Sequence, residues 1–264
     1  MAVTVGNVYD FLQEKAPFAL QMDFDNAGFL VGRAGQSVHQ VLVALDVTQS
    51  VIREAKERGA QLIVSHHPVI WGGTKSVTDQ TLIGRKLLEL IENRISVISA
   101  HTNLDAVAGG VNDALALRLG LSEIGQLHQD GVDGQGRAYG IGRTGLVPKQ
   151  NLYDFAQAVK ELLGARGVRL VDGGKPVRRV AVGGGACGGM LADAIAAGCD
   201  TFVTADVKYD GFLDAKALGI NLIDAGHFPT EQVVCPVLRD WIIQRFPQLS
   251  VEVSKRHQEV FSYL

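Results

Sequence analysis

Six side chains of metal-binding type sit at matched spacings in this chain. His66 and His67 close the segment Gln61-Leu62-Ile63-Val64-Ser65, which reads as a buried strand. His101 is followed four residues later by Asp105, and His227 at the same interval by Glu231. Adjacent side chains on a strand point to opposite faces. Consecutive histidines at a strand's carboxyl end are therefore poorly placed to grip one ion together and better placed to hold two side by side. Four imidazoles and two carboxylates, with no thiolate, suit two divalent transition ions. A carboxylate bridges two metals where an imidazole takes one, so Glu231 or Asp105 is the candidate bridge. Ions about 3.5–4 Å apart polarise a substrate and generate a hydroxide near neutral pH. Taken singly, each histidine is more simply a capping or core residue, and seven in 264 residues is no excess. The equivalent placement of all six at strand ends is what favours metal.

Those side chains need elements that bring strand ends to one edge. Val41-Leu42-Val43-Ala44-Leu45 reads as a strand, and Thr48 caps a helix ending at Gly59. Leu62-Ile63-Val64 is the next strand, residues 82–93 the next helix, and residues 95–99 another strand. This βαβαβ order argues for a mostly parallel α/β sheet. Ligands in such sheets gather outside the carboxyl ends of the strands. Residues 120–150, rich in glycine, read as the connection between two halves, 1–124 and 125–264. The second half repeats the first in outline. Residues 55–65 (A-K-E-R-G-A-Q-L-I-V-S) parallel 194–204 (A-I-A-A-G-C-D-T-F-V-T), and 95–101 (I-S-V-I-S-A-H) parallel 220–227 (I-N-L-I-D-A-G-H). An internal duplication is expected. Pro229 suits a first helical position, which would put Glu231 in the first turn, where the helix dipole favours a carboxylate.

Composition bounds the function. With 47% apolar residues, 20% charged and a net charge of −3, the chain reads as an ordinary soluble globular protein. No basic cluster marks a nucleic acid or an anionic membrane as partner. Residues 1–10 lack the charged and apolar regions of a secretory signal, and no apolar run reaches the roughly 18 residues of a spanning helix. The three cysteines, Cys187, Cys199 and Cys235, are scattered and form no C-x-x-C, which fits reduced thiols in a cytosol.

Four motifs in order then resemble a known family. They are Asp25-Asn26-Ala27-Gly28, Ser65-His66-His67-Pro68, Ser99-Ala100-His101-Thr102-Asn103-Leu104-Asp105, and Gly226-His227 on to Glu231. Together they are similar to those of the NIF-three-like dinuclear metal centre proteins, often labelled GTP cyclohydrolase I type 2 homologues, and the likeness spans nearly the whole chain. The resemblance implies that His66, His67, Asp105, His227 and Glu231 hold two divalent ions (iron, zinc or manganese), with Glu231 touching both. His67 and Asp105 would lie on one ion, and His66 and His227 on the other. His101 would stand close by to move protons. The resemblance also implies a cytosolic, ring-shaped homohexamer, in the short form without an insert domain. One segment departs from the family pattern: Thr204-Ala205-Asp206-Val207-Lys208-Tyr209-Asp210 has Ala205 for a glycine and Asp210 for a histidine.

Other signals are weaker. Gly183-x-Gly185-x-x-Gly188 formally meets the dinucleotide fingerprint, with Asp206 eighteen residues beyond. The favoured reading is a tight turn that lets helix and strand pack closely; the alternative is a phosphate cradle. No redox cofactor is expected. Asp25-Asn26-Ala27-Gly28 is either a plain turn or a loop lining the site. Trp71-Gly72-Gly73 reads as a surface loop, with a mobile flap as the alternative. His39, His128 and His257 read as surface residues without a shared pattern. Two functions are expected to compete: a metal-dependent hydrolase of a nucleotide-like substrate, and a non-catalytic metal-binding, sensing or scaffold protein.

Overall fold

Strands buried on both faces dictate the architecture. Leu62, Ile63 and Val64 are each fully buried, and so are Val41, Val43, Val97 and Ile98 or nearly so, as expected of parallel strands covered by helices on either side. A computed structural model describes residues 2–264 and divides them into two compact units. One runs up to Leu104 and takes in Val234–Gln258; the other holds Asp105–Val233 and Glu259–Leu264.

In the first unit, helix α1 (Val5–Lys15) opens on a capping box between Thr4 and Asn7. Strands β1 (Gly28–Val31) and β2 (Gln40–Ala44) follow, then helix α2 (Gln49–Arg58), strand β3 (Leu62–Ser65), helix α3 (Leu82–Glu92) and strand β4 (Ser96–Ser99). Thr48 caps α2 through its side chain, and Gly59 ends it in the left-handed conformation, as expected. Strands β2, β3 and β4 pair in parallel, and β1 lies antiparallel along β4. Helix α4 (Thr102–Ala106) carries the chain across the division at Leu104.

The second unit contains α5 (Val111–Arg118), β5 (Ser122–Gln126), a small hairpin of β6 (Gly131–Val132) and β7 (Ala138–Tyr139), β8 (Arg143–Gln150), α6 (Leu152–Leu163) and β9 (Arg169–Val171). After these come β10 (Val177–Val182), α7 (Leu191–Ala196), β11 (Thr201–Thr204), α8 (Tyr209–Leu218), β12 (Asn221–Asp224) and α9 (His227–Glu231). Its sheet runs β5-β8-β10-β11-β12-β9, with only β10, β11 and β12 parallel to one another. The fold is therefore mixed α/β, with a larger antiparallel share than the sequence implies. Residues 120–150, read as a connection, instead supply two strands of this sheet. Their glycines turn the chain between strands: Gly136 and Gly142 both take φ of +77°, a region open to glycine at little cost.

The chain then returns to the first unit through α10 (Val234–Arg245) and β13 (Ser250–Val253), which pairs in parallel with β2. That pairing is why the units divide at three points rather than once near residue 124. Just beyond β13, the buried Glu54 carboxylate accepts from the Ser254 hydroxyl and the Lys255 and Arg256 amides. This clamp fixes the approach of His257. No helix among the described residues is long and apolar enough to cross a membrane.

Candidate metal centre

Beyond Ser65 the extended strand gives way to a bend, so the alternation that would separate His66 from His67 lapses. Their ring centroids lie 5.0 Å apart, and each is within 5.5 Å of the His101 ring. The three offer nitrogen atoms within 4.8 Å of one another. Adjacent histidines are thus better placed to share a site than strand geometry alone allows. The backbone that carries them is pinned: the Ser65 hydroxyl donates to the His67 carbonyl, and the His101 amide donates to the Asn103 side chain. Asn103 in turn donates to the carbonyl of Ala16, at the end of α1.

Each of these imidazoles is held through its Nδ1. His66 Nδ1 lies 2.8 Å from the Ala100 carbonyl, His67 Nδ1 2.8 Å from Asp46, and His101 Nδ1 2.8 Å from Asp25. Carbonyl and carboxylate oxygens only accept, so Nδ1 carries a proton in each ring, and Nε2 is the nitrogen that the neutral form would offer to a metal. Oxygen-bound imidazoles of this kind are what metal sites use to fix ring orientation and tautomer. Asp46 also receives His257, with Nε2 3.1 Å from its second oxygen. Burial alone would push the Asp46 carboxyl up; the hydrogen bonds and charges of His257 and His67 outweigh it and hold the group well below the usual range. His257 is therefore a nearly buried partner of Asp46, not the surface residue expected; His39 and His128 are exposed. Asp46→Asn is expected to weaken metal binding about 10–100-fold while leaving the fold intact, as read by metal titration and circular dichroism.

Asp25 faces His101 with its side chain wholly buried. It also accepts from the Thr102 amide and hydroxyl. Burial raises its pKa, but the His101 and Thr102 hydrogen bonds, the His101 charge and the Asn26 amide together hold it at about 2. The folded value lies below the unfolded one of 3.8, so its contribution to stability is full above pH 4 and is lost as pH falls toward 2. Asp25→Asn should accordingly destabilise the protein at pH 5 by more than at pH 2.5, in paired denaturant titrations.

In the second unit His227 begins α9, with Gly226 before it at φ +86°. Pro229 is then the third helical residue, not the first, and Glu231 lies one turn beyond His227 rather than in the first turn. Glu231 therefore lies outside the first turn, where the helix dipole acts, and α9 instead sets it as an i, i+4 pair with His227 on one face. His227 Nε2 sits 2.9 Å from the Glu231 carboxylate, and its Nδ1 2.7 Å from Asp206. Asp206 takes a left-handed φ of +51°, uncommon for a residue with a side chain. Asp105 and Glu231, 9% and 4% exposed, offer carboxylate oxygens within 4.8 Å of each other. Two ionised carboxylates that close and that buried repel, and a cation or a shared proton resolves the repulsion. Burial and the charges of Asp105 and Glu231 push the Cys187 thiol far up, so it is no thiolate ligand or nucleophile.

The donor types therefore suit a divalent metal. His66, His67 and His101 come together in the first unit; in the second, Glu231 lies beside both Asp105 and His227. Asp46 has no signal in the sequence, Asp206 stands beside His227 rather than a ribose, and Asp25, open between a turn and a loop lining the site, contacts His101. Ala205, which departs from the family pattern, is fully buried, donates its amide to the Gly185 carbonyl and has no positive φ, so nothing there requires glycine. Asp210 is exposed in the first turn of α8.

Comparison with known proteins identifies the family of this fold. The Duf34/NIF3 family, described as NGG1p interacting factor 3, matches residues 3–259. A GTP cyclohydrolase 1 type 2 homolog of Clostridium perfringens is 33% identical over 263 residues, covering 98% of this chain and 99% of its own length. A Streptomyces coelicolor protein of the same name is 38% identical over 217 residues, 80% of this chain and 76% of its own. Among solved structures, a hypothetical protein of Staphylococcus aureus is 30% identical with a TM-score of 0.92, each chain fully covered. A Bacillus cereus protein related to NIF3 shares the fold at 24% identity, with a TM-score of 0.93 over 100% and 99% of the two chains.

Proposed function

Since the chain belongs to the DUF34/NIF3 family, we propose that it is a dinuclear metal-dependent hydrolase acting on a nucleotide-like substrate. The observation that carries this reading is the tethering of His66, His67, His101 and His227 through Nδ1, each to an oxygen, which makes Nε2 the nitrogen each ring would offer to a metal. His66, His67, Asp105, His227 and Glu231 would hold the two ions, with Glu231 serving both. Bound divalent ions supply Lewis acidity and make water acidic near neutral pH.

The chain's own contribution lies in His101 and what surrounds it. Asp25 holds its Nδ1 proton, so Nε2 takes up a proton and returns it to a leaving atom. Trp71 packs edge-on against the His101 ring at 5.1 Å yet is 56% exposed, which offers a flat apolar surface beside the proton-transfer group. Its loop is fixed where the Asn26 side chain donates to the Ile70 carbonyl. Stacking of a heterocycle there is worth about 1–3 kcal/mol. Trp71→Ala should therefore raise KM about tenfold or more, with metal content unchanged.

The relatives' name points to GTP, but the sequence has no Walker-type loop and no guanine-reading motif, so phosphoesters and cyclic amides belong in the same panel. The matching βαβαβ order of β2-β3-β4 and β10-β11-β12 supports the proposed internal duplication. A cytosolic location, supported by three free cysteines, and a hexameric ring are part of the proposal; exposed Leu82, Leu117 and Tyr209 give a ring apolar surface to cover, and native mass measurement should find six chains. Metal-loaded protein is expected to hydrolyse at least one compound of the panel and to lose that activity when stripped. Full metal with no turnover would instead leave a storage, sensing or scaffold protein.

A further inference from the structure

We infer that Gly185 is a positioning residue for the Glu231 carboxylate, and that this is why the turn after β10 is built from glycine. The claim rests on the metal-site reading above. A Cβ built on Gly185 would lie 2.0 Å from Glu231 Oε1, 2.9 Å from its carboxyl carbon and 3.3 Å from the His227 ring. The space a side chain would fill is the space the carboxylate occupies. Gly185 cannot retreat, because its amide donates to the Thr230 hydroxyl while its carbonyl accepts from the Ala205 amide and the Thr204 hydroxyl. Its φ of +62° adds a second requirement for glycine.

The same bonds argue against the phosphate cradle that the glycine spacing suggests. The Gly183 amide donates to Val203, the Gly184 amide to Asn112 and the Gly185 amide to Thr230. A turn that binds phosphate needs such amides pointing at the ligand; here they are spent within the protein. The glycines instead bring backbone against a buried acid. The crowded atoms belong to the far end of a side chain, so a methyl group at Gly185 swings the carboxylate aside before it disturbs the turn.

Gly164 provides a matched control. It has φ of +65°, and a Cβ there meets nothing within 4 Å, so Gly164→Ala adds left-handed strain without crowding. Three full-length proteins are compared by zinc titration, thermal melting and crystal structures of the metal-free form: wild type, Gly185→Ala and Gly164→Ala. The expected result is that Gly185→Ala displaces the Glu231 carboxylate and weakens zinc binding at least tenfold, while Gly164→Ala leaves both unchanged. In a Glu231→Gln background, Gly185→Ala should weaken zinc binding no further, as expected of two residues acting through one group. An undisplaced carboxylate in metal-free Gly185→Ala overturns the inference, as does wild-type zinc affinity in that variant. Displacement of the carboxylate in a protein whose wild type takes up no metal would uphold Gly185's role and sink the metal reading instead.

Discussion

Replacing Glu231 with glutamine should strip at least one ion and reduce hydrolysis about a thousandfold or more. The variant keeps the side chain's volume, so no cavity opens around a residue only 4% exposed, and it removes the one donor proposed to touch both ions. Metal ions stabilise transition-state charge by several kcal/mol, and each 1.36 kcal/mol is a factor of ten in rate. Thermal melting separates this loss from simple damage. Without metal, Glu231 faces the Asp105 carboxylate within 4.8 Å, so neutralising it relieves repulsion. Metal-free Glu231→Gln should melt no lower than metal-free wild type. Added metal should raise only the wild-type Tm strongly, since a ligand stabilises the state it binds. A variant that melts lower without metal and still binds two ions would make Glu231 a structural residue.

His101→Ala should do the reverse: it should lower kcat about 10²–10⁴-fold, the usual contribution of a general acid or base, and leave two ions in place. Asp25→Asn should fall in the same direction by less, because it disturbs the ring's tautomer without deleting it. The outcome is open to contradiction, because His101 offers a nitrogen within 4.8 Å of those of His66 and His67. Loss of an ion with His101→Ala would make it a ligand and leave the proton-transfer role without a residue.

Much of this site was legible because metal donors are chemically rare and their placement at strand ends is periodic. The phrase from residue 55 to His67 and its counterpart ending at Asp206 show what more was available. If residues 55–65 are aligned with 194–204, His67 falls opposite Asp206, each two places past its strand, and Asp206 is the acceptor for His227. The repeat could have marked it. Asp46 carried no such signal: a lone aspartate after a strand is usually solvated, and its partners His67 and His257 lie 21 and 211 residues away. The strands at 122–126 and 143–150 were hidden by glycines that serve the turns beside them. Helix α9 was misplaced by two residues because Pro229 is tolerated anywhere in a first turn, while the left-handed Gly226 sets the actual start.

Metal counted per chain, after stripping and reloading with zinc or manganese, tests the central claim most directly. The account predicts two ions per chain in wild type and fewer in Glu231→Gln. A folded wild-type chain that emerges from reloading with none would contradict it.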